Sequence, residues 1–254
     1  MTKKTINDIM LMKKIAYWGG TPMNLTMIQI SVFGSFRDIQ PEQNTLIKLM
    51  QGLPGFIPGT AQHLNIDAAS GKVENLQRIL MTNNLNGWRL EVQPDRLNAV
   101  YSVTSDAAAQ NNRNSLVSVG IDYLKNCINI LNIDRRFTRL AINAQYVDPT
   151  GKSIPNIPFT SHLPKYISSI DEVCEWNLTL NKNGQVTINN VEQTNEILSC
   201  SLGSSLADPS EHAKLITIDI NTLQNVLVER FSINDMSIFS TYALERWDAM
   251  LSSL

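Results

Sequence analysis

One short run of the sequence contains the three residue types of a hydrolytic triad. Residues 203–212 carry three serines, Asp208 and His212. Triad members normally come from separate rigid elements, and this run lacks the strand-turn-helix elbow that exposes a nucleophilic serine. We therefore interpret residues 203–212 as a surface loop, with His212 as the first histidine to test.

The remaining candidates for chemistry are isolated from one another in the sequence. His63 and His162 have no histidine, cysteine or carboxylate at a metal-ligand spacing, and no glycine-rich loop follows a strand and opens a helix. We therefore predict no metal, no cofactor and no catalytic residue. An enzyme would need the fold to assemble a carboxylate site from residues such as Glu91, Asp95, Asp148 or Glu175.

Four arginines are expected around the ends of a long central helix: Arg113, Arg135, Arg136 and Arg139. Cations near a helix C-terminus stabilise the helix dipole, which is the simpler interpretation of this cluster. The alternative is a contact with phosphate or nucleic acid. The formal net charge of −2 and the isoelectric point near 5.9 disfavour nucleic acid as the principal partner.

The composition predicts an ordinary globular protein. Hydrophobic residues make up 43% of the 254 residues, which is enough for a full core, and charged residues only 17%. The three cysteines are odd in number and lie on apolar faces, which predicts buried thiols in a reducing compartment. With no signal peptide and no apolar run of transmembrane length, we expect a cytoplasmic protein and no membrane partner.

Apolar periodicity predicts the secondary structure of the first part of the chain. A helix is expected over residues 5–18, within an N-terminal extension of residues 1–20. A first α+β half is expected over residues 21–148. It contains a hairpin turning at Gln93-Pro94-Asp95, a helix over 111–131 and strands over 23–36, 61–66, 75–82, 88–93, 97–103 and 137–147.

A proline-rich connection over residues 149–165 separates this half from a second one over 166–254. Strands are expected over 174–180 and 186–191, joined at Asn183-Gly184, and over 197–202 and 214–220. A helix then runs from Asp235 to the end. The predicted fold class is α+β, with two similarly shaped halves, each a mostly antiparallel meander sheet with a long amphipathic helix packed on it.

Two segments carry a resemblance to a known family. The run from Trp88 to Asn98 reads WRLEVQPDRLN, and after a helix the run from Ala141 to Asp148 reads AINAQYVD. They resemble the signature of a sporadically distributed, functionally uncharacterised bacterial family of about this length, over residues 24–150. The resemblance implies a soluble α+β fold of two related halves and genes scattered among mobile and defence-type loci, with no catalytic residues to carry over.

These features predict a non-enzymatic accessory module that docks on a partner protein, of the antitoxin, immunity or defence type, or a homo-oligomer. The candidate contacts lie on the polar face of the hairpin and on the last helix: Arg89, Glu91, Gln93, Arg96, Phe239 and Trp247. The alternative is a ligand- or nucleic-acid-binding sensor that uses the sheet face and the arginines Arg113, Arg135, Arg136 and Arg139.

Overall fold

The computed structural model describes residues 17–18, 21–66, 73–103, 112–148, 176–204 and 212–252. Strands β1 (Tyr17–Trp18) and β2 (Thr21–Pro22) pair with each other in a small separate hairpin. Nine further strands form the body of the fold: β3 (Asn24–Phe33), β4 (Ile57–Ile66), β5 (Val73–Asn83), β6 (Trp88–Val92), β7 (Arg96–Ser102), β8 (Arg139–Asp148), β9 (Trp176–Thr187), β10 (Val191–Ser204) and β11 (His212–Thr222).

The nine strands form one antiparallel sheet in the order β4-β5-β6-β7-β3-β8-β11-β10-β9. Alternation along each strand explains its two faces, because successive side chains point to opposite sides. In β3, for example, Ile28, Ile30 and Val32 are all fully buried on one side. The hairpin predicted at residues 93–95 is confirmed: β6 pairs with β7, and the amide of Gln93 donates to the carbonyl of Arg96 at 2.8 Å.

Three helices are described: α1 (Gln43–Gly52), α2 (Arg113–Ile130) and α3 (Asp235–Ser252). Helix α2 begins at the cap Asn112, whose side chain accepts from the amide of Asn114, and buries an apolar stripe that includes Leu124. Helices α2 and α3 are antiparallel neighbours. Arg113 at the start of α2 pairs with Asp248 near the end of α3, and Lys125 bonds Ser237 near the start of α3.

The prediction of two halves, each with its own sheet, is wrong. Strand β8 pairs with β3 on one side and with β11 on the other, so strands from both proposed halves form a single nine-stranded sheet. The core beneath α2 and α3 is likewise one continuous cluster. Periodicity finds individual strands but carries no information on the long-range pairing that joins them.

The hairpin predicted at Asn183-Gly184 is also wrong. Strand β9 runs straight through both residues, and the turn follows it, where the amide of Ile188 donates to the carbonyl of Asn190. A Cβ at Gly184 would collide with the hydroxyl of Tyr242 and the carboxylate of Glu196. Gly184 is therefore needed for space beneath α3, whereas its sequence context suggested a turn.

Several predicted segments lie wholly or mainly outside the described residues. They include most of the N-terminal helix, of which residues 17–18 are strand β1, and the proline-rich connection over 149–165. The serine, aspartate and histidine run falls largely among residues 205–211, which are not described either.

Candidate binding face

The sheet has a polar face on the side opposite α2 and α3, which we call the open face. Helix α2 approaches the other side, since a Cβ at Gly120 would touch Ile30 and Trp88. Strand register places alternate residues on the open face, and no helix of the described ranges packs against it. Its central members are Gln29, Ser31, Phe33, Arg89, Glu91, Arg96, Asn98, Arg139, Asn143, Gln145, Asp219 and Asn221.

A chain of hydrogen bonds crosses the open face from β6 to β3. Arg89 Nε pairs with Glu91 Oε1 at 2.6 Å, and Asn98 Nδ2 donates to Glu91 Oε2 at 3.1 Å. Ser31 Oγ donates to Asn98 Oδ1 at 2.8 Å, and Gln29 Nε2 donates to Ser31 Oγ at 3.1 Å. These bonds fix the orientation of each side chain before any partner arrives.

A second polar group lies across the sheet on β11. Asn221 Nδ2 donates to Asp219 Oδ1 at 3.1 Å, and Asn195 Nδ2 donates to Asn221 Oδ1 at 3.4 Å. Burial raises the pKa of the Asp219 carboxyl above its usual value, and the hydrogen bond from Asn221 and the charge of Arg139 oppose that rise. The open face thus holds carboxylates as well as arginines.

Two arginines flank an aromatic ring at one end of the open face. Phe33 is opposite Arg96 on β7 and opposite Arg139 on β8. The Cζ of Arg139 is 4.0 Å from the ring centroid and that of Arg96 is 5.9 Å away, both within cation–π range. Arg139 Nη1 donates to Gln224 Oε1 at 3.2 Å, and burial lowers the pKa of Arg139.

The turn beside these arginines is held by main-chain bonds. The amide of Gly34 donates to the carbonyl of Asp95 at 3.0 Å, and that of Phe36 donates to Pro94 at 2.9 Å. Arg78, fully buried, donates to the carbonyls of Phe36 at 2.6 Å and Val92 at 3.2 Å. Burial lowers the pKa of Arg78. Arg78 has no signal in the sequence, because a lone arginine in a strand pattern is typical of a surface residue.

Of the predicted partner contacts, Arg89, Glu91 and Arg96 lie on the open face, and Gln93 lies at its edge beside the turn. Phe239 and Trp247 are completely buried between α3 and the sheet, where Trp247 Nε1 donates to the Tyr146 hydroxyl at 3.0 Å. These two residues therefore belong to the core, and a partner cannot reach them. Their spacing indicated an apolar helix face, and that face is covered by the chain's own sheet.

The predicted arginine cluster is divided. Arg113 stands at the start of α2, a helix about 27 Å long. Beyond the other end of α2, Arg135 donates to Asp38 at 3.0 Å, and Arg136 donates to the carbonyl of Arg230 at 2.5 Å. The Arg135 guanidinium lowers the pKa of Asp38. Of the four arginines, Arg139 alone lies on the open face, so the cluster does not form one continuous basic surface.

The candidate catalytic carboxylates do not meet within the described part of the chain. Glu91 bonds Arg89 on β6, and Asp95 stands in an exposed turn. Asp148 is buried with Lys214 at the far end of β8, seven residues or about 24 Å along the strand from the row that contains Glu91. Glu175 lies outside the described residues.

Histidines and cysteines also form no site in the described ranges, where no group of three or more potential metal ligands occurs. Cys127 and Cys200 are buried free thiols, and burial raises their pKa values to about 12 and about 11. Buried thiols with such high pKa values are poor nucleophiles at neutral pH. His162 and Cys174 are not described.

Comparisons with known proteins returned nothing similar: no family model, no curated protein and no solved structure matches this chain. Within the described residues, no helix has both the length and the apolar character needed to cross a membrane.

Proposed function

We propose that this chain is a non-enzymatic protein-binding module that docks on a partner protein through the open face. The observation that carries this proposal is the chain of hydrogen bonds from Arg89 through Glu91, Asn98 and Ser31 to Gln29. Asn98 and Ser31 are buried, and they hold the partly exposed side chains of Arg89, Glu91 and Gln29 in fixed positions. Donors and acceptors held in this way lose little side-chain entropy when a partner binds. The resemblance of residues 24–150 supports the proposal that this module is of the antitoxin, immunity or defence type.

The mixture of charges on the open face favours a protein partner over a polyanion. Glu91 lies beside Arg89, and Asp219 is near enough to Arg139 to affect its pKa. Protein surfaces that bind nucleic acid carry an excess of positively charged side chains, which neutralise the phosphates. Alternating charges instead suit the polar surface of another protein, where they set orientation and exclude wrong partners.

The alternative proposal, a nucleic-acid or ligand sensor built on four clustered arginines, has less support. Arg113 is paired with Asp248, Arg135 with Asp38, and Arg136 holds a main-chain carbonyl. Phosphate binding by these residues would have to compete with contacts that stabilise the fold.

Site-specific photo-cross-linking tests the proposal in cells of the native host. A photoreactive amino acid replaces Gln145, whose half-buried side chain lies on the open face, on β8, one of the central strands of the sheet. The matched control replaces Asn126, which is exposed on α2 and so lies on the opposite side of the molecule. We expect one discrete protein adduct from position 145 and none from position 126.

The adduct is identified by mass spectrometry, and the purified partner is then titrated by calorimetry. Glu91→Gln, which weakens the two bonds that Glu91 makes to Arg89 and Asn98, is expected to lower affinity for that partner about tenfold, the usual loss for a charge-assisted hydrogen bond. Adducts of equal yield from both positions, or adducts with nucleic acid at position 145, contradict the proposal.

A further inference from the structure

We propose that Arg96 and Arg139, on the two sides of the Phe33 ring, form a binding site for a carboxylate group of the partner. This inference rests on the proposed function, because it names the chemistry that the open face recognises. The carboxylate can come from an aspartate or glutamate side chain or from a chain terminus. All three residues lie in one cross-strand row.

The two guanidinium groups have unused hydrogen-bonding capacity. The guanidinium of Arg96 donates no hydrogen bond to any described residue. The nearest carboxylate oxygen to its Nε, on Asp95, is 3.9 Å away. Arg139 donates to the neutral Gln224, and no described carboxylate lies within 4.0 Å of it. A guanidinium carries five N–H donors, so both groups can donate hydrogen bonds to further partners.

The geometry places both charges beside the same aromatic ring. Each Cζ lies within 6 Å of the same ring centroid, so the two cations repel each other, and Arg96 contributes to lowering the pKa of Arg139. An anion that accepts charge-assisted hydrogen bonds from both guanidinium groups beside the ring relieves this repulsion. The two arginines together are therefore a stronger anion site than either residue would be alone.

The surroundings favour a singly charged carboxylate over a phosphate. Asp95 and Asp219 both act on the Arg139 charge, so the site is already partly neutralised. A second negative charge on the ligand would add repulsion from these two groups. The Phe33 ring also offers an apolar surface to the methylene groups that precede a carboxylate.

Nuclear magnetic resonance of the full chain with 15N-labelled arginine tests the site directly. The probes are acetyl-Gly-Glu-Gly-amide for a side-chain carboxylate and acetyl-Gly-Gly-Gly with a free C-terminus for a terminal one. Acetyl-Gly-Gln-Gly-amide and inorganic phosphate are the comparisons. We expect the Nε–Hε signals of Arg96 and Arg139 to shift with at least one carboxylate probe, and the stronger of the two probes identifies the source.

Variants then assign the effect to these residues. Arg139→Gln and, separately, Arg96→Gln are expected to weaken binding of that probe about tenfold, and Asp219→Asn to strengthen it several-fold. Arg37→Gln, which removes one exposed positive charge elsewhere, is the matched control and leaves binding unchanged. Amide spectra confirm that each variant is folded.

Equal binding of the neutral glutamine peptide, tighter binding of phosphate, or unchanged binding by both arginine variants overturns the carboxylate site. These outcomes are separate from a failure of the proposed function. A partner cross-linked at position 145 whose affinity depends on Glu91 supports docking on the open face even when no carboxylate peptide binds.

Discussion

At the scale of single residues, the open face contains one carboxyl group that is largely buried, that of Asp219. Asp219 accepts a hydrogen bond from Asn221, yet burial is the largest influence on it and raises its pKa. The folded protein therefore binds a proton to Asp219 more readily than the unfolded chain does. This group opposes folding once it is ionised.

The stability of the protein is expected to depend on pH through this residue. As pH rises from the usual value of 3.8 through the raised pKa of folded Asp219, its contribution to the free energy of unfolding falls, and it is constant above that range. Asp219→Asn removes this decline and makes the protein more stable than the wild type at neutral pH. Urea unfolding at a series of pH values measures the effect.

Asp95→Asn is the matched control, because it removes a carboxylate that is 65% exposed in the turn near the same arginine. It should leave the slope of stability against pH close to that of the wild type. A variant Asp219→Asn that keeps the wild-type slope, or that is less stable at neutral pH, would show that the attraction to Arg139 outweighs burial.

At the scale of elements, the close approach of α2 to the sheet depends on one glycine. Gly120 lies in the middle of the helix, where glycine costs about 1 kcal/mol relative to alanine. A Cβ there would meet the Cδ1 atom of Ile30 and come within 2.8 Å of the Trp88 ring. The glycine therefore lowers the helix propensity of α2 but allows α2 to pack closely against the centre of the sheet.

Gly120→Ala is expected to lower the free energy of unfolding by about 1–3 kcal/mol, since overpacking exceeds the gain in propensity. Adding Ile30→Val removes the Cδ1 atom in closest contact and should recover part of the loss beyond the cost of Ile30→Val alone. Ser118→Ala, at an exposed position of α2, is the control and should change stability by less than about 0.5 kcal/mol. Chemical denaturation measures all four variants, and a stabilised Gly120→Ala would contradict the close approach.

The same elements show what a sequence can predict. The turn at Pro94-Asp95 and the stripe of α2 follow from local turn chemistry and apolar periodicity, and both are confirmed. The turn predicted at Asn183-Gly184 is wrong because the missing side chain of Gly184 makes room for Tyr242, a residue of α3 that lies far away in sequence. Phe33 and Arg139 could not be paired in advance because strand register across β3 and β8 is a tertiary property.

At the scale of the molecule, β8 joins the two parts of the chain that precede and follow residues 149–175. It lies between β3 and β11, and its Tyr146 hydroxyl accepts a hydrogen bond from Trp247 on α3. The ion pair between Arg113 and Asp248 connects α2 to α3 at the same end. A sheet and core shared in this way give neither part a complete set of partners of its own.

We therefore expect the whole molecule to unfold in one cooperative transition. Fluorescence can report on either part when a single tryptophan is kept, either Trp88 beneath α2 or Trp247 on the buried face of α3, and the other three are changed to phenylalanine. Each single-tryptophan protein should show the same urea midpoint by fluorescence as by far-ultraviolet circular dichroism, because separate probes coincide in a two-state transition. Distinct fluorescence and dichroism midpoints within either protein would mean that the two parts unfold independently. A fragment of residues 21–148 keeps β8 paired with β3 but exposes the edge of β8 that β11 covers, so it should fail to give a dispersed amide spectrum.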